Sequence, residues 1–187
     1  MTITITEPKV WTYDDYLALP EDDGNRYEII EGVLYATPMP PTGDHQTALY
    51  ELARQMGNFV VEHDLGKLIG APFSVHLSQE SRPVEPDLLF ISKAQWQKGL
   101  KFFEGAPDLV VEFLSNSTRK LDRTVKFNAY EKAGVLEYWI VNPVTESVEL
   151  WVLKEGAYEF MGEYQGDAVI RSTVLQGLEV VTKTIFY

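Results

Sequence analysis

Read for its spacing of apolar and polar positions, the chain separates into short strand-like runs and two longer helical stripes. Pro107-Asp-Leu-Val-Val-Glu-Phe-Leu-Ser-Asn-Ser-Thr118 is apolar on both faces over its middle, as expected of a strand at the centre of a sheet covered on both sides. Glu85-Pro-Asp-Leu-Leu-Phe-Ile91 is a second run of that kind. Between Asp44, read as an N-cap, and Gly66, read as a stop, Leu49, Leu52, Met56, Phe59 and Val60 form a stripe at helical spacing, with His45 on its inward side. A second helix is predicted from Ser117/Thr118 to Ala133, stopping at Gly134, with Leu121, Val125 and Ala129 inward.

Shorter elements surround these. Trp11 to Pro20 predicts a short helix capped by Thr12, and Arg26 to Tyr35 a hairpin around Glu31-Gly32. Thr37 to Gly43, with three prolines, reads as a rigid loop. Lys67 to Leu77 predicts a strand broken at Gly70-Ala-Pro72, and Ser92 to Ala106 a connection with a helical turn near Trp96. Glu137 to Asn142 is a further strand. Val148 to Leu153 and Ala157 to Met161 form a hairpin around Glu155-Gly156, and residues 165–187 add one or two short strands. The order predicts an α/β (α+β) domain, a mixed sheet flanked by helices with additional β-hairpins at both ends, over residues 11–187 behind a flexible arm of residues 1–10.

Composition narrows the classes. An apolar content of 45% and a charged content of 24% suit a soluble globular chain, and no apolar run is long enough to span a membrane. The first residues lack the basic and apolar regions of a signal peptide, so a cytoplasmic location is expected. The absence of cysteine excludes thiolate metal sites. A net charge of −12 argues against bulk electrostatic coating of DNA. The charge is uneven, however. Residues 93–132 hold eight Lys/Arg against five acids, a local +3 that leaves −15 for the rest.

That basic window flanks the most unusual residue. Glu112 stands between Val111 and Phe113, where an ionised carboxylate costs several kcal/mol unless paired, protonated or bound to a cation. Asp87 lies near the start of the preceding buried run. If those strands pair, the two carboxylates can share a hard divalent cation, which favours oxygen donors. Lys126 follows on the next helix, where it can orient a nucleophile or stabilise developing charge. Each has a plainer explanation: Asp87 as a turn residue, Glu112 satisfied by an arginine or backbone donors, and Lys126 as a solvent-facing partner of Asp122 at i,i+4. Arg119 and Lys120 sit in a first helical turn, where the dipole disfavours cations, and with Arg123 they are candidate phosphate contacts. His45 and Glu28 are expected to line the same cleft, with a satisfied buried histidine and an edge-strand glutamate as the alternatives.

Taken together, Arg26-Tyr-Glu-Ile-Ile-Glu-Gly, His45, Glu85-Pro-Asp87, Asp108 to Thr118, Asp122 with Lys126 and Tyr130, and Gly134-Val-Leu-Glu-Tyr-Trp-Ile-Val141 resemble the Uma-type family of restriction-endonuclease-like proteins, within the PD-(D/E)XK nuclease superfamily. The resemblance spans roughly residues 11–187. It implies a Mg²⁺-dependent endonuclease acting on phosphodiester bonds in DNA, with Mn²⁺ a possible substitute, and Asp87 and Glu112 as metal ligands. The superfamily lysine would fall at Leu114, so the resemblance implies a lysine migrated to Lys126; Asn116 stands where the family usually has proline. If Lys126 has that role, Lys126→Ala abolishes cleavage and leaves stability nearly unchanged. The alternatives are a catalytically silent module that binds nucleic acid or protein on the same fold, and a carboxylate-pair hydrolase of a non-phosphate substrate. A homodimer is expected from the surplus of aromatics in the C-terminal β region.

Overall fold

The computed structural model describes residues 9–20, 24–38, 42–115 and 119–186. The elements in chain order are α1 (Tyr13–Leu17), β1 (Asn25–Ile30), β2 (Val33–Pro38), α2 (Gly43–Glu62), β3 (Gly66–Gly70), β4 (Val75–His76), β5 (Leu88–Ser92), β6 (Phe103–Glu104) and β7 (Leu109–Phe113). A π-helical segment (Leu121–Lys126) then runs directly into α3 (Phe127–Ala133), followed by β8 (Glu137–Asn142), β9 (Ser147–Lys154), β10 (Ala157–Gln165), β11 (Val169–Arg171), β12 (Glu179–Val181) and a 3-10 turn (Thr182–Ile185).

Six strands form one mixed sheet in the order β10-β9-β8-β7-β5-β3. Only β7 and β8 are parallel in it, because the π segment and α3 provide the crossover that parallel neighbours require. Period-two alternation divides β7 between two cores. Leu109, Val111 and Phe113 pack with Ala48, Leu52, Met56 and Val60 of α2 and with Ile170 and Val180 of the β11–β12 hairpin. Val110 and Leu114 pack on the other side with Leu89, Ile91, Tyr138 and Ile140 of the sheet, Ala129 and Tyr130 of α3, and Ile30 of the β1–β2 hairpin. Glu112 is in phase with Val110, and Asp87, just before β5, is in phase with Leu89. Both acids therefore belong to the α3 side.

Several boundaries differ from those expected. The N-cap of α2 is Thr42, whose hydroxyl accepts from the His45 N–H at 3.4 Å, and Asp44 lies in the first turn, where its charge suits the dipole. Gly66 does not end α2, which is capped by His63; it opens β3, where a Cβ would lie 2.1 Å from the Ile91 carbonyl oxygen. Thr37 is still in β2 rather than in a loop. The C-terminal hairpin is not an addition beside the sheet, because β9 and β10 extend it through β8. Both Glu-Gly turns are as expected, with positive φ at Glu31 and Gly32 and at Glu155 and Gly156, the pairing a tight hairpin turn needs. Asn116 and the expected Ser117/Thr118 helix start lie outside the described residues.

The aromatics of the C-terminal region mostly pack on one another. The Phe127 ring lies 4.9 Å from Trp151 and 5.0 Å from Tyr158, and Trp151 lies 4.8 Å from Phe160. Among the large apolar side chains of β10 only Phe160 and Met161 are exposed, so most of the aromatic surplus on which the homodimer expectation rested is engaged within the chain. Among the described residues no helix is long and apolar enough to cross a membrane.

Candidate active site

The site is built where three elements meet the α3 side of the sheet. β5 and β7 pair antiparallel with Leu88 opposite Val111, so the same register carried one step further sets Asp87 opposite Glu112. The β1–β2 hairpin crosses near this end. Its alternation turns Arg26, Glu28 and Ile30 to one face, and the Glu28 carboxylate accepts from the Glu85 N–H at 2.7 Å. The third element is the π segment. A π turn adds a residue to each hydrogen-bonded ring and so rotates the residues beyond it about the helix axis. Asp122 and Lys126 face inward here, in line with Ala129 and Tyr130 of α3, while Leu121 and Val125, expected to be the buried side, are only half-buried.

Lys126 is 0% exposed and sits at the centre. Its Nζ lies 2.9 Å from Glu112 Oε1, 3.0 Å from Glu28 Oε1 and 3.8 Å from Asp122 Oδ1. Tyr130, one helical turn further on, donates its hydroxyl to Glu112 Oε1 at 2.6 Å. Lys126 is thus neither a surface partner of Asp122 nor a mobile side chain at the border of a stripe. The expectation that it could be removed at little cost to stability is corrected, since truncating one member of a buried ion cluster strands the others.

Asp87 forms a second hub. Its Oδ2 accepts from the Phe113 N–H at 2.8 Å and lies 3.5 Å from His45 Nε2, while its Oδ1 lies 3.5 Å from a terminal nitrogen of Arg26. Burial works to raise the Asp87 pKa, but the His45 contact and the charges of Arg26 and Lys126 outweigh it and hold the carboxyl below its ordinary range. Glu112 goes the other way. Burial first, then the charges of Asp87, Asp122 and Glu28, push it up to about 8 against the opposing pull of Lys126. Burial disfavours the charged form of Lys126, yet Glu112, Glu28 and Asp122 together hold its pKa above the ordinary lysine value.

The structure thus brings Glu28, Asp87, Glu112, Lys126 and His45 together. It also adds residues that the sequence reading left out of the cleft. Arg26 was legible from its place two residues before Glu28 on a strand, and Tyr130 from its i,i+4 spacing to Lys126. Of the candidate phosphate contacts, Arg119 and Lys120 are exposed, whereas Arg123 is paired with Glu149. The basic window is correspondingly weaker than its sequence suggests. Lys93 pairs with Asp64, Lys132 with Glu31, Arg123 with Glu149, and Lys126 is in the interior.

Does this set of residues suit a divalent cation? Glu28, Asp87, Glu112 and Asp122 set four buried carboxyl groups against two cationic side chains, Lys126 and Arg26. Glu28 Oε2 and His45 Nδ1 are buried without a hydrogen-bond partner. Among the described residues no three acids or histidines already form a closed ligand cage. A Mg²⁺ site needs only one or two carboxylates, with water and substrate oxygens completing it. The excess of carboxyl groups over cationic side chains, the Glu28 oxygen unpartnered among the described residues and the all-oxygen donors fit such an ion, and Asp87 and Glu112 are the residues that could hold it.

Comparison with known proteins bears on the family and the fold. The Uma2 family model, described as "Putative restriction endonuclease", matches residues 13–183. A crystal structure described as a "putative nuclease belonging to DUF820", from Anabaena variabilis ATCC 29413, superposes with a TM-score of 0.76 at 21% identity. The match covers 94% of this chain and 97% of that one, a likeness of fold. No curated protein matches the chain.

Proposed function

The chain belongs to the Uma2 family, and from that membership and the geometry above we propose that it is a divalent-metal-dependent endonuclease that hydrolyses phosphodiester bonds in DNA. Asp87 and Glu112 would hold Mg²⁺, or Mn²⁺ in its place. The observation that carries the reading is the pairing of two register-opposed acids with a buried lysine 2.9 Å from one of them, inside a cluster that is short of positive charge. Bound there, a divalent cation supplies charge neutralisation at the scissile phosphate and acidity at water.

The chain's own residues divide the remaining work. The Phe113 N–H fixes one Asp87 oxygen and so its orientation toward the site. Lys126 and Tyr130 both hold Glu112 Oε1, which leaves Oε2 as the oxygen that can turn toward a cation. At neutral pH in the absence of metal, Glu112 keeps a proton, and binding a cation releases it. Glu28 holds Lys126 from the other side. Lys126 in this arrangement sets the charge and orientation of Glu112 rather than reaching the substrate itself.

A second reading has one observation in its favour. Lys126 is already engaged by Glu28 and Glu112, as it would be in a module that keeps the fold and only binds nucleic acid or protein. Cleavage of supercoiled plasmid with Mg²⁺ or Mn²⁺, with Asp87→Ala as the control, separates the two. DNA binding should be weak and steeply salt-dependent, through Arg119, Lys120 and the exposed Lys98 and Lys101, because half of the basic window is already paired or buried.

A further inference from the structure

A phosphodiester carries its own negative charge, and the cluster it would approach is already negative. Some cation of the chain has to face it. Lys126 is poorly placed for this: it is 0% exposed and would have to give up contacts of 2.9 and 3.0 Å to two carboxylates. Arg26 is placed differently. Its side chain is 19% exposed, and its hold on Asp87 is a single approach of 3.5 Å from one terminal nitrogen. A committed arginine–carboxylate pair is bidentate at about 2.7–2.9 Å. The strand beneath it is fixed, since Arg26 pairs with Thr37 across the hairpin and Glu28, two residues on, is tied to the Glu85 N–H.

We propose that Arg26 is the residue that binds the scissile phosphate, its guanidinium resting against Asp87 beforehand and turning to two phosphate oxygens when substrate arrives. The inference rests on the endonuclease reading above. A planar fork of donors that stays charged at every working pH suits two oxygens of one phosphate, which a lysine at the same position would not grip in the same way. Asp87, freed of that contact, is then fully available to a cation, so phosphate and metal binding assist one another. The charges of Glu28, Asp87, Glu112 and Glu85 keep the guanidinium protonated, and unlike Lys126 it is a part-exposed cation of this acidic cluster.

The test uses full-length wild type, Arg26→Gln and Arg26→Lys. Three quantities are read: KM and kcat on a labelled duplex with Mg²⁺, binding of uncleaved duplex with Ca²⁺ at several NaCl concentrations, and Mn²⁺ affinity without DNA. Arg26→Gln is expected to weaken duplex binding about tenfold or more, the value of a lost charge-assisted contact. It should also lower the salt slope by about 0.9, one phosphate's worth. Its Mn²⁺ affinity should be unchanged or tighter, because a competing cation has left Asp87. Arg26→Lys should restore the salt slope but not kcat, and it also serves as the control for folding. Wild-type cleavage accompanied by an Arg26→Gln variant with unaltered duplex affinity and slope would overturn the proposal while sparing the endonuclease reading. Loss of Mn²⁺ affinity with duplex affinity intact would overturn it too, by making Arg26 a support for Asp87 alone. A wild type that cleaves nothing with any divalent ion overturns both.

Discussion

Replacing Lys126 by methionine tests the ion cluster most sharply, because the side chain keeps its bulk and loses only its ammonium. In the native protein that ammonium lies 3.0 Å from Glu28 and 2.9 Å from Glu112, and all three groups are buried. Removing one partner of such a pair costs about 3–5 kcal/mol, because the partner's charge is left uncompensated. The protein has one escape, which is to protonate a further carboxyl. Starting from an ordinary value of 4.5, that costs about 1.36 kcal/mol per pH unit, or about 3.4 kcal/mol at pH 7 and about 0.7 kcal/mol at pH 5. The variant should therefore lose about 3 kcal/mol at pH 7 and under about 1 kcal/mol at pH 5. Urea unfolding of both proteins at the two pH values, with m-values compared to verify a common unfolding transition, measures this directly. A loss below about 0.5 kcal/mol at both pH values, the scale of a surface ion pair, would refute the buried-cluster argument.

Four other outcomes are expected from the structure. Because Glu112 is held up to about 8, the native state binds its proton more tightly than the unfolded chain, so metal-free stability should fall as pH rises from about 4.5 to 8; Glu112→Gln should flatten that slope in urea titrations. Asp87, whose carboxyl is held low, contributes the opposite dependence, with stability present above its ordinary value of 3.8 and lost as pH falls through the lowered one. For the same reason Mn²⁺ binding should release a proton and tighten between pH 6 and about 8, which calorimetry in buffers of different ionisation enthalpy detects; pH-independent binding would place the metal away from Glu112. Gly66→Ala puts a Cβ 2.1 Å from the Ile91 carbonyl oxygen, so it should cost about 2 kcal/mol or more in thermal unfolding, and an unchanged Tm would mean that β3 is not held as described.

The parts of this architecture that were legible in the sequence are those governed by local spacing. Glu112 drew notice because a carboxylate inside a run of strand-forming apolar residues must have a partner, and the two Glu-Gly turns were legible because hairpin turns need particular backbone angles. The α2 stripe was legible too, although its cap was placed on Asp44 and is Thr42, two residues earlier, in the stretch read as a rigid loop. What was hidden depends on hydrogen-bond register. An α-helical phase centred on Leu121 and Val125 puts Lys126 about 100° round, at the edge of the buried face; the buried face is instead centred on Asp122, Lys126 and Tyr130, because the carboxylates that receive the lysine come from other strands. The partner of Arg26 was hidden for a different reason. The strand of Arg26 brings it to Asp87, 61 residues later in the chain, and only the tertiary fold supplies that pairing. The joining of β9 and β10 to the main sheet was likewise a matter of strand pairing that the hydrophobic pattern alone does not encode.

The central claim is that Asp87 and Glu112 form a metal-dependent phosphodiesterase centre. Its most direct test incubates supercoiled plasmid with the wild type, Asp87→Ala and Glu112→Gln, with Mg²⁺ or Mn²⁺ and with EDTA. The account predicts nicked or linear product from the wild type only when the divalent ion is present, and none from either variant once both are shown to be folded. Undiminished cleavage by Asp87→Ala, or a folded wild type that leaves the plasmid supercoiled with both ions, would contradict it.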